Sequence, residues 1–339
     1  MALFAGCAKS PSSNSSAVSS AGEGDSSNSA DNGEVYQLKL ANIYAADHPF
    51  NVGCQKIVDE IQEKTDGHVI ITIYPAAQLG PETAEINNLQ AGAIDFAVLG
   101  SGEVAKRVKD FNIFDAPYLF KNVEEAEKAA ASDVVQSIFE QTKQYGFTVE
   151  NMLYYGVRNL TTNSPVDSPE DTKNMKLRVP DNNIPRYIAQ YVFGAAPTPM
   201  ALSEVYLALQ QGVVQGQENP IPTIYTQKFY EVCDYINLTQ HQISYFPTIM
   251  SNKTREKLPE NYVKIIDEAF QEGAPEINKL VLEAEDELLK EMQDAGAKVH
   301  TPANLEAFQE NVPALVKQCE DDGLWTKGLY DKIKAVCAQ

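Results

Sequence analysis

This chain of 339 residues is poor in histidine and in positive charge, and it contains no long apolar run. His48, His68, His241 and His300 stand apart from one another and from the cysteines, so there is no zinc-ligand spacing and no His-Glu-x-x-His helix. The excess of Asp and Glu over Lys and Arg leaves a formal net charge of −20, which excludes the basic face that nucleic-acid binding requires. It also excludes general electrostatic capture of anions. An anionic ligand would have to be held by a few arginines inside a cleft. No stretch of about 18 apolar residues is available to span a bilayer. Enzyme signatures are missing as well. Gly100–Glu103 has the wrong spacing for a Gly-x-Ser-x-Gly elbow, and neither a P-loop nor Gly-x-Gly-x-x-Gly follows the first strand. Nothing assembles a nucleophile, a base and an oxyanion hole, and no metal or other cofactor is implied.

Cysteine is sparse too. Cys7, Cys54, Cys233, Cys319 and Cys337 form no Cys-x-x-Cys pair. Free, mostly buried thiols are expected, with pairing of Cys319 and Cys337 left open. Cys7 differs, because Leu3-Phe4-Ala5-Gly6-Cys7 resembles the lipobox of a bacterial lipoprotein. Only six residues precede it, fewer than a complete signal needs. A Ser-, Asn-, Gly- and Asp-rich stretch without apolar periodicity follows, as in a flexible tether. The expectation for 1–33 is therefore a truncated lipoprotein signal, lipidated at Cys7, and a tether that anchors a globular body to the membrane.

What is present is α/β grammar, long enough for two domains with real cores. Val35–Tyr44 reads as a strand, and Phe50, Ile57, Val58 and Ile61 then recur at helical spacing until Asp66-Gly67. His68–Pro75 is a strand, Pro81–Gly92 a helix, and Ala93–Gly100 a third strand. This β-α-β-α-β order implies parallel strands covered by helices. The pattern returns later, with Met175–Val179 as a strand and helices ending at Gly194 and Gly212. Asn88–Ala97 and Ala208–Gln217 share a helix ending Leu-Gln-x-Gly that feeds a β-like run, a trace of two lobes of similar build. From Lys257 to Gly296 the apolar spacing is helical, with Gly273 and Pro275 expected to kink it. Some 35 helical residues would reach about 50 Å, enough to lie across both lobes.

In open α/β sheets, ligands sit beyond the carboxyl ends of strands. Arg178 and Asn219 lie at such ends, and Arg158 follows the strand-like run Val149–Val157. If these strands are neighbours, two guanidiniums and an amide converge. That suits a carboxylate ligand, since the arginine fork matches both oxygens. A salt bridge for Arg178 and a turn for Asn219 before Pro220 are the structural alternatives.

Several segments together resemble the substrate-binding proteins of tripartite ATP-independent (TRAP) transporters: His48–Phe50, Glu63–Gly80, Phe114–Phe120, Gly156–Val166, Met175–Pro180, the long run Gly194–Pro220, and Gln227–Val232. The resemblance implies an α/β, two-lobed, periplasmic-binding-protein-like clamp with a long helix spanning both lobes. It implies lobe I at 34–155 plus 245–284 and lobe II at 156–244 plus 285–339. It further implies that Arg178 pairs with the ligand carboxylate, that Asn219 and Arg158 contribute, and that the partners are integral membrane TRAP transporter subunits. Members that bind sialic acid carry an Asn near Ile43, a Glu near Gly100 and an Asn where this chain has Asp181. A smaller sugar acid such as a uronate is therefore favoured, with Asp181, Gln78, His48 and Tyr245 meeting its hydroxyls. The alternatives are a C4-dicarboxylate or sialic-acid receptor, a ligand receptor for a sensor kinase, a lyase or hydrolase acting on sugar acids, and a structural lipoprotein.

Overall fold

The computed structural model describes residues 33–338, so the lipidation expected at Cys7 and the tether expected before residue 33 lie outside the described residues. Nine strands share one mixed sheet. In chain order they are β1 (Tyr36–Ala41), β2 (Val69–Tyr74), β3 (Phe96–Val98), β4 (Phe147–Thr162), β5 (Lys176–Val179), β6 (Ala196–Pro199), β7 (Gly216–Pro220), β8 (Tyr235–Ser251) and β9 (Lys298–His300). The spatial order is β2-β1-β3-β8-β4-β7-β5-β6, with β9 on β8.

The halves repeat one topology. β2-β1-β3 is parallel, and so is β6-β5-β7. In each triplet the first strand is central, flanked by the second and third. The two sequence segments sharing Leu-Gln-x-Gly both lead into the third strand of their triplet, β3 and β7. Gly92 and Gly212 adopt left-handed backbone there, as helix ends require of a residue without Cβ.

Two long antiparallel strands, β4 and β8, join the triplets. Sequence pattern reveals only part of β4 and none of β8, because both run through the buried centre and carry little alternation. Their pairing is irregular between Tyr154 and Gly156, where Gly156 has φ +126°. A Cβ on Gly156 would lie 2.6 Å from Pro220 and 2.9 Å from Glu285 Oε1, so glycine is required.

The long helix Glu260–Asp294 continues through Gly273 and Pro275, losing one backbone hydrogen bond at the proline. It packs on the helix Pro49–Lys64 of the first lobe and on the helix Ile221–Thr226 of the second. Its Ile266, Phe270, Ile277 and Val281 enter the larger apolar core, and Met292 enters a smaller core beside Val205, Ile224 and Phe229. Gly273 has a spatial role. A Cβ there would lie 2.5 Å from Ile57, and one on Gly53 would lie 2.5 Å from Ile277. Each helix thus seats an isoleucine in the glycine notch of the other, which brings the axes close.

The C-terminal helix Leu329–Cys337 packs on Val123–Ala130 and Lys109–Asp115. It thus contacts elements within 34–155, while 285–339 was expected to belong to the second lobe. Trp325, Leu329 and Ile333 drive this packing by burying themselves in the larger core. Cys319 and Cys337 are free thiols.

Candidate functional site

A cleft of about 1030 Å³ opens between the lobes. It lies where the rule for open α/β sheets puts ligand sites, beyond the carboxyl ends of both parallel triplets. Tyr44 follows β1, Ala76 follows β2 and Gly100 follows β3, while Pro180 follows β5, Met200 follows β6 and Asn219 comes near the end of β7. β4 and β8 supply the floor through Tyr155, Arg158, Gln242 and Phe246. The register sets Arg158 beside Pro220 of β7 and Gln242 of β8, and Arg178 of β5 beside Gln217 of β7. The strands carrying Arg158, Asn219 and Arg178 are thus consecutive in the sheet.

The two arginines are in different electrostatic situations. Arg158 donates to Glu218 through Nε and through Nη2 (2.9 Å), and Nη2 also reaches Glu218 O (2.7 Å) and Asn219 Oδ1 (3.2 Å). Glu218 also faces His241 Nε2 at 3.2 Å. Burial works against the Glu218 charge, but Arg158 and His241 outweigh it and hold the carboxyl at about 2. The charge of Arg158 is therefore matched within the protein. Arg178 is 3% exposed and has no carboxylate within salt-bridge distance among the described residues. Its Nε and Nη2 donate to Met200 O at 3.2 and 2.8 Å. Burial pushes its pKa down to about 10. A buried guanidinium without an anion is costly, and this one lines the cleft.

Two acids share the cleft wall. Glu82, the first residue of the helix Glu82–Ala91, accepts from Gly100 N at 2.6 Å, and burial raises its pKa. Asp115 ends the 3-10 turn Lys109–Asp115 and accepts from Gln242 Nε2 at 3.2 Å. Burial pushes it up to about 7 against the pull of Arg158. The floor is aromatic: Tyr155 stacks on Phe246 at 4.4 Å and tilts against Tyr44 at 4.9 Å. Such faces suit the C–H side of a small carbon chain.

Of the residues singled out from sequence, Arg178, Arg158, Asn219 and Asp181 line the cleft. Asn219 Nδ2 donates to Gln217 Oε1 at 2.6 Å, and Asp181 pairs outward with Arg186. Three others, His48, Tyr245 and Gln78, are not among the residues that line it. His48 is buried behind Tyr155. Its Nδ1 caps the helix Pro49–Lys64 by accepting from Phe50 N at 3.2 Å, and its Nε2 lies 3.2 Å from Thr223 Oγ1. Burial pushes its pKa down to about 3, so the ring is neutral. Tyr245 points to the opposite face of β8 from its neighbour Phe246, as strand alternation requires, and its hydroxyl donates to Val123 O at 3.4 Å. Gln78 is exposed on the turn after β2, where Ala76 and Ala77 are left-handed. Sequence reading did not single out Tyr155, Glu82, Asp115, Gln242, or the Glu218–His241 pair. Asp115 and Glu218 lie inside conspicuous motifs, Phe114–Phe120 and Gly216–Pro220, but spacing alone does not separate them from surface acids.

Of the buried acids outside the cleft lining, Glu85 stands apart. Glu85 is 0% exposed, and neither carboxyl oxygen has a partner among the described residues. Burial, with Glu82 nearby, pushes it up to about 8. A carboxyl whose pKa rises on folding costs nothing below its unfolded value and destabilises increasingly as pH climbs toward the folded value. Glu85→Gln is expected to raise unfolding free energy at pH 8 by on the order of 1–3 kcal/mol and to change it little at pH 4. Urea unfolding at the two pH values checks this, and lower stability of the variant at pH 8 contradicts it.

Bacterial extracellular solute-binding protein family 7 matches residues 40–322. The chain is a family 7 solute-binding protein, of the TRAP type. Family 7 proteins are extracytoplasmic, and no helix among the described residues is long and apolar enough to cross a membrane. This family 7 protein is 34% identical over 267 residues to the sialic acid-binding periplasmic protein SiaP of Vibrio cholerae, covering 78% of this chain and 83% of SiaP. It is 30% identical to the 2,3-diketo-L-gulonate-binding periplasmic protein YiaO of Escherichia coli, covering 80% and 82%. It superposes on a TRAP periplasmic solute binding protein from Sulfitobacter sp. NAS-14.1 with bound β-D-galacturonate. That match has a TM-score of 0.82 and 26% identity, and covers 88% of this chain and 98% of the other. The family 7 architecture is two-lobed, as the resemblance implied.

Proposed function

We propose that this protein is a receptor that captures a small organic acid, by preference a sugar acid, and delivers it to the integral membrane subunits of a TRAP transporter. The observation that carries this reading is Arg178, a buried guanidinium on the cleft wall with a carbonyl but, among the described residues, no carboxylate as hydrogen-bonded partner. The ligand's carboxylate completes that pairing through a fork of two hydrogen bonds. Asn219 and Arg158 stand beside it and orient the anion. The sugar-acid preference draws support from relatives named for 2,3-diketo-L-gulonate and bound to β-D-galacturonate. It also draws support from the aromatic floor with acids on the wall, which offers both stacking and hydroxyl acceptors.

Capture then proceeds by lobe closure. Closure excludes water and strengthens the ion pair, and the ligand shifts the equilibrium only by its preference for the closed state. The hinge runs through Gly156 and Ser244, which pair in β4 and β8, and through Glu285, which accepts from Val157 N at 2.8 Å. These positions are the ones at which the sequence led us to expect the chain to cross between lobes. Cys7, once lipidated, tethers the receptor to the outer face of the cell membrane. No chemistry is done on the ligand.

A thermal-shift panel of D-galacturonate, D-glucuronate, D-galactonate, succinate and N-acetylneuraminate tests the reading. A ligand at 100 times its Kd stabilises by about 2.7 kcal/mol, which amounts to several degrees for a chain of this size. A shift with a sugar acid is expected. A response confined to succinate or to N-acetylneuraminate overturns the sugar-acid preference, and no response to any acid overturns the carboxylate receptor.

A further inference from the structure

The charges of the cleft do not cancel, and the imbalance is directional. Arg158 is matched by Glu218, and Glu103 by Lys106 and Arg107. Asp181 pairs with Arg186, and Glu204 is exposed; leaving these two aside, Arg178, Glu82 and Asp115 are the charged lining residues without a salt-bridge partner among the described residues. Asp115 is 5% exposed and has no cation within salt-bridge distance among the described residues. A carboxylate offers about four lone-pair sites, and among the described residues only Gln242 Nε2 occupies one of them. Gln242 is itself held, its Nε2 lying 3.2 Å from Ser244 Oγ. The acceptor is therefore aimed and largely unsatisfied.

Its position relative to Arg178 follows from the sheet. Gln242 lies on β8 and Arg178 on β5, with β4 and β7 between them. Three strand spacings amount to about 14 Å. Arg178 and Asp115, the hydrogen-bond partner of Gln242, both line the cleft. A ligand whose carboxylate meets Arg178 presents its other end to Asp115.

Resting on the reading of the cleft as a sugar-acid site, we propose that Asp115, oriented by Gln242, is the specificity-determining residue for that other end. It accepts hydrogen bonds from the hydroxyls of a polyhydroxy monocarboxylate and rejects a second carboxylate. Glu82 reinforces the rejection, since a second anion would meet two like charges, whose repulsion grows as lobe closure lowers the local dielectric. The inference narrows the ligand class to aldonic and uronic acids and excludes aldaric acids and C4-dicarboxylates. The raised pKa of Asp115 accords with this site, because donors on a ligand restore the charge that burial opposes.

Matched pairs test it: D-galactonate against galactarate, and D-glucuronate against D-glucarate. Within each pair the carbon skeleton is constant and one end becomes a second carboxylate. Calorimetry on the full chain at pH 8.5 is expected to find the monocarboxylate bound at least about 100-fold more tightly by the unmodified protein. Asp115→Asn, which keeps size and removes charge, is expected to cut that ratio at least tenfold, chiefly by admitting the diacid. Gln242→Met releases the orientation of Asp115 and is expected to cut the ratio as well, a second readout if Asp115→Asn fails to fold. Equal affinity for both members of each pair, or a ratio unchanged in the variants, overturns the proposal while leaving the sugar-acid reading intact. Binding of none of the four acids overturns that reading, and this proposal with it.

Discussion

Arg178→Ala is expected to weaken binding of the acid ligand at least about 100-fold while the unliganded protein stays folded. Hydrogen bonds to a charged partner contribute about 1.5–3 kcal/mol each, and a fork supplies two, so a loss of about 3 kcal/mol is the lower bound. Arg178→Lys is expected to recover part of this, because an ammonium returns the charge without the planar fork. Stability should move in the opposite direction from affinity. Burial depresses the pKa of Arg178 to about 10, so the charged form costs folding free energy at every pH below that value. Arg178→Met removes the charge but keeps much of the bulk, and it should make the ligand-free protein more stable. Calorimetric titration gives the first outcome and urea unfolding the second. Retained tight binding in Arg178→Ala would falsify the assigned role, and a large loss of stability in Arg178→Met would show that the guanidinium is structural.

Glu218→Ala should be the most destabilising single change at the site, by about 3–5 kcal/mol, because it strands a buried charge. Arg158 would keep Asn219 Oδ1 at 3.2 Å but lose its anion, and His241 Nε2 would lose its partner. The effect has a definite pH dependence. Glu218 is depressed from 4.5 to about 2, so its contribution is fully present above 4.5 and is lost as pH falls toward 2. The gap between wild type and variant should therefore narrow between pH 5 and pH 2.5 in urea unfolding. Replacing both members, Arg158→Met with Glu218→Met, should recover most of the stability, since well-packed apolar groups can substitute for a buried ion pair. A loss below about 1 kcal/mol in Glu218→Ala would mean that water reaches Arg158.

The sequence reading went furthest where structure is local. The strands before residue 100 and the long helix stand close to their expected bounds, because period-2 and period-3.6 patterning, Gly92 and Pro81 act within a few residues. β8 was missed because a strand buried on both faces shows no alternation. The same contrast runs through the site. Arg178 and Asn219 could be singled out because strand ends are where α/β sheets hold ligands. For His48 and Tyr245 the sequence does not decide the placement, since whether a side chain faces the cleft or lies one layer behind depends on what packs beside it. Tyr245 and Phe246 are adjacent in sequence and face opposite sides of β8, and only the register with β4 decides which is inside.

By itself the sequence determined the class of the molecule: an acidic, two-lobed α/β protein without catalytic or metal signatures, in which any anion capture would rest on a few arginines. That much depends on composition and short-range periodicity, which are written along the chain. The tertiary structure alone decided how the two arginines differ, by placing Glu218 and His241 around Arg158 and, among the described residues, no carboxylate within salt-bridge distance of Arg178. It also brought Asp115 to the cleft beside Gln242, 127 residues away in the chain. The physical reason is that the cost of a buried charge depends on its neighbours in space, and β4, β7 and β8 bring those neighbours from distant parts of the chain.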